Sequence, residues 1–128
     1  DHRDLHSFPT RRSSDLHSII GGVAVTGERS QAMMALLRRS LDPRRLAADP
    51  ENQVTGFLGA GLPLNAQLWS KAGLTSKVRH DAAYVELPEH PPFQLVVFTE
   101  GTDASQNEHI LPFVAQALLS AWSAAAMG

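Results

Sequence analysis

Four residues in the second half of the chain bring a hydroxyl, an imidazole and a carboxylate close together in sequence. Ser70 and Ser76 precede the adjacent pair His80 and Asp81. These residue types could supply a nucleophile, a general base and an orienting acid for acyl transfer. However, neither serine lies in a nucleophile-elbow motif, and neighbouring residues on a strand point to opposite faces. We therefore expect no catalytic triad from this set.

Histidines and one carboxylate raise the separate question of a metal site. The candidates are His80, Asp81, His90 and His109. Their spacing contains no H-x-x-x-H or comparable pattern that would bring two ligands onto one face of an element. Placement on the surface or in turns explains each residue more simply. We therefore predict no metal site and no cofactor.

Two pairs of arginines lie close together in the first half of the chain. Arg38 and Arg39 are separated from Arg44 and Arg45 by only four residues. Such a cluster could bind phosphate. Because cations are also favoured at helix carboxyl ends and on solvated surfaces, we expect these arginines to be surface residues without a ligand.

The elements that precede the serine and histidine stretch are predicted to be mainly helical. Residues 19–25 are apolar and β-branched and predict a strand. Thr26 is a suitable N-cap for the helix that follows, and the Asp-Pro pairs at 42–43 and 49–50 each predict the start of a short helix. The apolar positions that these helices should bury are Met33, Leu36, Leu37, Leu41, Val54, Phe57 and Leu58.

In the rest of the chain the sequence pattern changes from that of helices to that of β-strands. Gln67–Leu74, His80–Leu87 and Phe93–Thr99 predict three strands of an antiparallel meander, with His90 in a proline-rich loop between the last two. A closing helix is expected from about Ser105, delayed or kinked by Pro112. Its apolar stripe consists of Ile110, Val114, Ala117, Leu118, Ala121 and Trp122. The predicted fold class is α+β, a three-strand antiparallel meander flanked by helices.

Several of these segments match a known family in order and spacing. KAG at residues 71–73 is followed by DAAYV, by QLVVFTEG and by the helix through Trp122, and SQAMMALLRRSL precedes them. This set resembles the class A β-lactamases and penicillin-binding serine hydrolases over residues 17–122. The resemblance implies that the chain folds as the carboxyl-terminal part of a β-lactamase/transpeptidase-like fold.

The resemblance also implies roles for individual residues. Lys71 would attract the substrate carboxylate and tune nearby proton transfers, and the backbone N–H of Leu74 would supply half of the oxyanion hole. Ala72 and Gly73 would line the substrate, with Ala72 in place of the family's hydroxyl. Arg79 would bind the same carboxylate through its guanidinium. We expect Lys71 and Arg79 to project to one side of the hairpin.

The amino-terminal residues predict that the chain is a fragment. Asp1–Leu16 begins without Met, has no periodic apolar pattern, and corresponds residue for residue to the in-frame translation of a common sequencing-library adapter. We expect it to be a non-native tail that is extended or poorly packed. Residues 17–128 would then be the carboxyl-terminal fragment of a serine hydrolase. Its sheet, cut from a larger one, should expose an edge and favour self-association.

Composition excludes several other classes of function. The 128 residues suffice for one domain, and the net charge of -2 gives no reason to expect nucleic acid as a partner. There is no cysteine, and no apolar run approaches the roughly twenty residues of a membrane span. The family that the chain resembles carries its nucleophile in a Ser-x-x-Lys motif, but no serine here is followed three positions later by lysine. The resemblance therefore implies an inactive fragment of a parent that would cleave β-lactam or acyl-peptide substrates. The alternative is a non-catalytic binding or structural domain of the same fold.

Overall fold

The computed structural model describes residues 15–22 and 25–127 and has a four-stranded antiparallel sheet as its centre. The strand order is the chain order, β1-β2-β3-β4. The elements in sequence are α1 (15–20), α2 (Gly27–Leu37), β1 (Arg38–Arg39), α3 (Pro43–Ala48), a 3-10 helix (Leu58–Gly61), β2 (Gln67–Leu74), β3 (Val78–Leu87), β4 (His90–Glu100), α4 (Thr102–Gln106) and α5 (Ile110–Met127).

Two predicted helices begin at the predicted caps. The Thr26 hydroxyl accepts a hydrogen bond from the backbone N–H of Arg29 at 3.3 Å, at the start of α2. The Asp42 carboxylate accepts one from the N–H of Arg44 at 2.9 Å, and Pro43 opens α3. Each cap satisfies an N–H group that the helix itself cannot pair.

The strand predicted over residues 19–25 is wrong. Residues 15–20 form α1, and the N–H of Gly22 bonds back to the carbonyl of Ile19 at 3.1 Å in a tight turn with φ +71° at the glycine. The local helix and turn satisfy backbone groups that a strand could satisfy only with a neighbour. Leu16, the last residue of the predicted tail, is buried in the described structure, whereas 1–14 and 23–24 lie outside it.

The helix predicted after Asp49-Pro50 is also wrong. The Asp49 carboxylate accepts from the N–H of Glu51, and the Asn52 side chain accepts from the backbone N–H groups of Val54 and Thr55 at 3.0 and 2.7 Å. These side chains substitute for a helical turn and make a loop instead. The loop still buries the predicted residues Val54, Phe57 and Leu58, and the 3-10 helix follows it. Leu36 of α2, predicted to be buried, is 78% exposed.

The three predicted strands are confirmed, with a two-residue strand added at one edge. β2 pairs with β3 without a register shift, whereas β3 and β4 shift once, between Val85 and Leu87. β1 was missed because two residues carry no periodic signal; they pair with Trp69 and Leu68. His90 lies in β4 rather than in a loop, with its ring 4.1 Å from that of Trp122.

The residues that helix α5 buries most fully are not in the predicted stripe. Leu111 and Ala115 are buried, whereas Leu118 and Trp122 of the predicted stripe are 41% and 38% exposed. The contact is with the 3-10 helix, where the backbone of Gly61 approaches α5 closely. The helix has no charged residue. Even so, no helix within the described residues has both the length and the apolar character that crossing a membrane requires.

We predict that Gly61→Ala weakens the fold through this close approach. A Cβ at residue 61 would lie 2.1 Å from the carbonyl oxygen of Pro112, so α5 would have to move away from the 3-10 helix. The expected loss is about 1–3 kcal/mol in the free energy of unfolding, measured by urea titration. Gly27→Ala is the matched control because a Cβ there meets nothing within 4 Å. Equal stability of the two variants would contradict this packing.

We predict that the purified chain self-associates through apolar surface on α5. Phe113 is 69% exposed and Leu118 is 41% exposed, on a helix without charges that would oppose association. The sedimentation coefficient should rise with protein concentration, and the double variant Phe113→Lys/Leu118→Lys should reduce that rise. A concentration-independent monomer with one cooperative unfolding transition would argue against this prediction.

Candidate functional site

Strand β2 separates its predicted site residues between two faces of the sheet. Ser70 and Ala72 are buried on the core face, and Lys71 between them is exposed on the other. The alternation follows from the two-residue period of a strand. The Lys71 side chain bends to the strand edge, where its Nζ donates a hydrogen bond to the carbonyl of Ala72.

The free edge of β2 beyond β1 is capped by two side chains. The carbonyl of Ser70 accepts from Arg39 Nη2 at 2.8 Å and Nε at 3.2 Å, and the N–H of Ala72 donates to Gln53 Oε1 at 2.9 Å. Residues 70 and 72 therefore direct their backbone groups outward. Because this direction alternates along an antiparallel strand, the N–H of Leu74 points to the same edge.

Gly73 is required by a close cross-strand contact. It pairs with His80 of β3, and a Cβ at residue 73 would lie 2.1 Å from His80 Nε2. The His80 ring is held against Phe98 of β4, with centroids 4.9 Å apart. Any side chain at residue 73 would displace that ring, so the glycine serves the packing of the sheet whatever it contributes to a ligand.

Arg79 does not face the same side as Lys71, and the predicted two-cation pocket is wrong. The register pairs Arg79 with Leu74 and Lys71 with Ala82, which places the two cations on opposite faces. Arg79 is 5% exposed; its Nε donates to the Ser105 carbonyl at 2.8 Å.

The rest of the Arg79 guanidinium is also engaged inside the fold. Its Nη1 donates to the Gly56 carbonyl at 3.2 Å, and its carbon atom Cζ lies 5.0 Å from the centre of the Phe57 ring. These contacts make Arg79 a structural residue in the described chain. A substrate carboxylate could reach it only by displacing them.

Asp81 is the most unusual ionisable group of the sheet. It is 1% exposed, its Oδ2 accepts from the N–H of Leu58 at 3.1 Å, and its Oδ1 has no partner among the described residues. Burial raises the pKa of Asp81 to about 6; the Leu58 and Ala82 N–H groups and the charges of Arg39 and Lys71 oppose the shift only in part.

Arg79 and Asp81 together hold one loop against the sheet. They bind residues 56 and 58 on either side of Phe57, from the same face of β3. The hydroxyl of Ser70, also buried and without a partner in the described structure, lies on that face. Sequence spacing carried no signal for this arrangement, nor for the roles of Arg39 and Gln53, because the partners come from separate segments.

His80 and Asp81, which were considered for a triad and for a metal site, are adjacent residues of β3. His80 and Asp81 lie on opposite faces of β3, so they cannot serve one serine as a triad. Within residues 15–22 and 25–127 there is no group of three or more His, Cys, Asp or Glu side chains that could hold a metal ion.

Comparison with known sequences gives one family. Residues 9–122 match the profile of the "Beta-lactamase enzyme family", a range that begins inside the predicted tail Asp1–Leu16. No curated protein sequence matches the chain significantly.

Comparison with solved structures gives the same fold. A β-lactamase from Streptosporangium roseum is 21% identical with a TM-score of 0.68, over 90% of this chain and 41% of that one. A β-lactamase from Sphaerobacter thermophilus is 22% identical with a TM-score of 0.62, over 83% and 36%. The structure of PBP-A is 16% identical with a TM-score of 0.65, over 84% and 37%. The chain thus spans less than half the length of these structures.

We predict that Asp81 makes the fold less stable as pH rises. Its pKa is about 6 in the folded state against an ordinary 3.8, so folding favours the protonated form. Stability should therefore fall between pH 4 and 6 and level off above, by up to roughly 3 kcal/mol. Asp81→Asn, which keeps an acceptor for the Leu58 N–H, should remove this loss.

The measurement is urea unfolding of the chain and the variant from pH 4 to pH 7. The difference in unfolding free energy between them isolates Asp81 from the other titrating groups. Asp103→Asn, at an exposed position in the first turn of α4, is the control. A difference that stays constant over this pH range, or that favours the wild type increasingly at high pH, would contradict the prediction.

Proposed function

The chain belongs to the beta-lactamase enzyme family, and from that premise we propose that it is the part of a serine hydrolase that contains strand β2 with Lys71. The intact parent would acylate a serine with a β-lactam or an acyl-peptide substrate and release the product to water. The nucleophile and the general base would come from the part of the parent that precedes this chain.

The observation that carries this proposal is the chemistry gathered at the open edge of β2. Lys71 Nζ lies at that edge on the Ala72 carbonyl, and the Leu74 N–H points outward two residues further along. A substrate carbonyl against this edge would meet an oxyanion donor, and its carboxylate would meet a cation. The Leu74 N–H makes no ladder bond with β3, so it is available without disturbing the sheet.

Ala72 suggests how this parent would differ from its relatives. Its methyl group is buried and has no hydroxyl to offer a substrate carboxylate. Arg79 does not compensate, because its guanidinium is engaged by Ser105 and Gly56. We propose that Lys71 is the only side-chain cation that the described residues supply for the substrate carboxylate, which favours substrates whose binding depends little on that carboxylate.

The same two features support the second candidate, a non-catalytic domain that keeps the fold. A site with Ala72 and an internally bound Arg79 has lost much of the polar machinery for binding a substrate carboxylate. The chain itself should be inactive in either case, since it lacks Ser-x-x-Lys. The coding sequence upstream distinguishes the candidates: Ser-x-x-Lys there supports the hydrolase, and its absence supports the binding domain.

We predict that Leu74→Pro in the recovered full-length parent lowers kcat by about 10²–10³-fold, the usual effect of losing one oxyanion donor. Proline removes the outward N–H without removing a bond to β3. Leu74→Ala keeps the donor and is the control, with kcat expected close to wild type. Hydrolysis of a chromogenic cephalosporin is the assay, with thermal unfolding to verify folding. Equal kcat for both variants would exclude the Leu74 N–H as a donor.

A further inference from the structure

We propose that the arginine pocket, the cavity of about 630 Å³ formed by Arg38, Arg39, Arg44, Arg45, Asp42 and Leu64, binds a phosphate group. The group could be carried by a soluble phosphate ester or by a lipid headgroup. The sequence led us to expect surface arginines without a ligand, and it did not predict that all four would line one cavity.

Two of the arginines are held in place by neutral partners. Arg38 donates to Gln67 Oε1 at 3.1 Å and lies 4.6 Å above the Trp69 ring. Arg39 donates to the Ser70 carbonyl and, at 3.3 Å, to Gln53 Oε1. Neutral acceptors fix these side chains, and neither arginine makes an ion pair within the described structure. An anion would therefore meet cations that are already ordered, which lowers the entropy cost of binding.

The other two arginines are free to close on a ligand. Arg44 Nε is 3.8 Å from the Asp42 carboxylate, but the arginine side chain is 95% exposed, so this pair is weak. Arg45 has no hydrogen bond or ion pair with any residue of the described structure. Asp42 is the single acid of the pocket, and its carboxylate also caps α3.

The surroundings leave a net positive charge at this place. The adjoining cavity of about 260 Å³ shares three of the arginines and includes Asp49 and Glu51. The Asp49 carboxylate is occupied by the N–H of Glu51 within its own loop. Because the whole chain is negative, with a net charge of -2, a local excess of cations stands out as a site for an anion.

The arginine donors and one apolar side chain of the pocket determine which kind of anion it fits. A guanidinium presents a planar fork of N–H donors that matches phosphate oxygens, and several such groups around one cavity offer more donors than one carboxylate can accept. Leu64, 72% exposed, forms an apolar wall of the same cavity. A phosphate ester with an apolar substituent should therefore bind more tightly than inorganic phosphate.

The arginine pocket is distinct from the open edge of β2 where we propose that the substrate binds. Arg38 and Arg39 pair with Trp69 and Leu68 at the start of β2, whereas Lys71 and Leu74 lie toward its end. Arg39 also caps the edge of β2, so it is not a suitable residue for testing. Arg44 and Arg45 touch neither β2 nor the loop at 56–58 in any described contact, and their variants test the pocket alone.

The experiment titrates the 128-residue chain with inorganic phosphate, phenyl phosphate and acetate at low ionic strength in a phosphate-free buffer. Calorimetry gives Kd. We expect phenyl phosphate to bind more tightly than inorganic phosphate, and acetate to bind least. Arg44→Gln and Arg45→Gln should each raise the Kd for phenyl phosphate by about five- to tenfold, and the double variant by more. Arg29→Gln, an exposed arginine of α2 outside the pocket, is the charge-matched control and should leave Kd unchanged.

A second arm distinguishes the source of the phosphate. Co-sedimentation with vesicles of phosphatidylglycerol in phosphatidylcholine measures binding to a lipid headgroup. If Arg45→Gln weakens binding of the chain to the vesicles and Arg29→Gln does not, the result supports the pocket with a lipid ligand. Soluble phosphate binding without vesicle capture supports it with a soluble ester.

Three outcomes would overturn the proposal. One is that neither soluble phosphates nor vesicles bind. Another is that acetate binds as tightly as phosphate. The third is an equal effect of Arg45→Gln and Arg29→Gln, which would mean attraction to overall charge. Circular dichroism and thermal unfolding of each variant, expected to match the wild type, separate a lost ligand from a lost fold.

Discussion

The uninterrupted pairing of β2 with β3 is the constraint on which the rest of this structure depends. Eight consecutive cross-strand pairs run from Gln67 with Glu86 to Leu74 with Arg79 without a bulge. Because side chains alternate with a period of two, one unbroken register assigns every residue of both strands to a face. It places Arg79 and Asp81 on the core side, and Lys71 on the other.

Because of this assignment, two ionisable side chains lie on the core face of the sheet. Arg79 and Asp81 are both nearly inaccessible, and together they bind the loop around Phe57. They do not pair with each other in the described contacts; each uses backbone groups of the loop instead. Burial raises the pKa of Asp81, and the hydrogen bond from the Leu58 N–H opposes that shift only in part. The loop is therefore attached to the sheet by directional bonds as well as by apolar packing.

The two proposed sites lie at opposite ends of strand β2. At its start, β1 and the arginine pocket bring four cations together around a single acid, Asp42. Toward its end, Arg39 and Gln53 cap the backbone of residues 70 and 72 and leave the N–H of Leu74 directed outward. The proposed acyl-transfer edge and the proposed phosphate site thus share a strand, but they use different side chains.

The sequence by itself determined the elements whose signals are local. The three long strands, the Thr26 and Asp42 caps and the family resemblance could be predicted from periodicity, cap chemistry and motif order, because each depends on residues close together in the chain. The two-residue strand β1 and the buried face of α5 could not, since partners from distant segments decide them. The loop after Asp49 was missed for a local reason, because the side chains of Asp49 and Asn52 bind nearby backbone N–H groups in place of a helical turn. The faces of Lys71 and Arg79 were decided only by the tertiary structure. Arg39 and Gln53 are fourteen positions apart in the chain, and no sequence pattern connects them. Both nevertheless contact β2, at Ser70 and Ala72 respectively. A shift of one residue in pairing would exchange the two faces of a strand, and only the packed sheet, with its loop bound beneath it, selects one register.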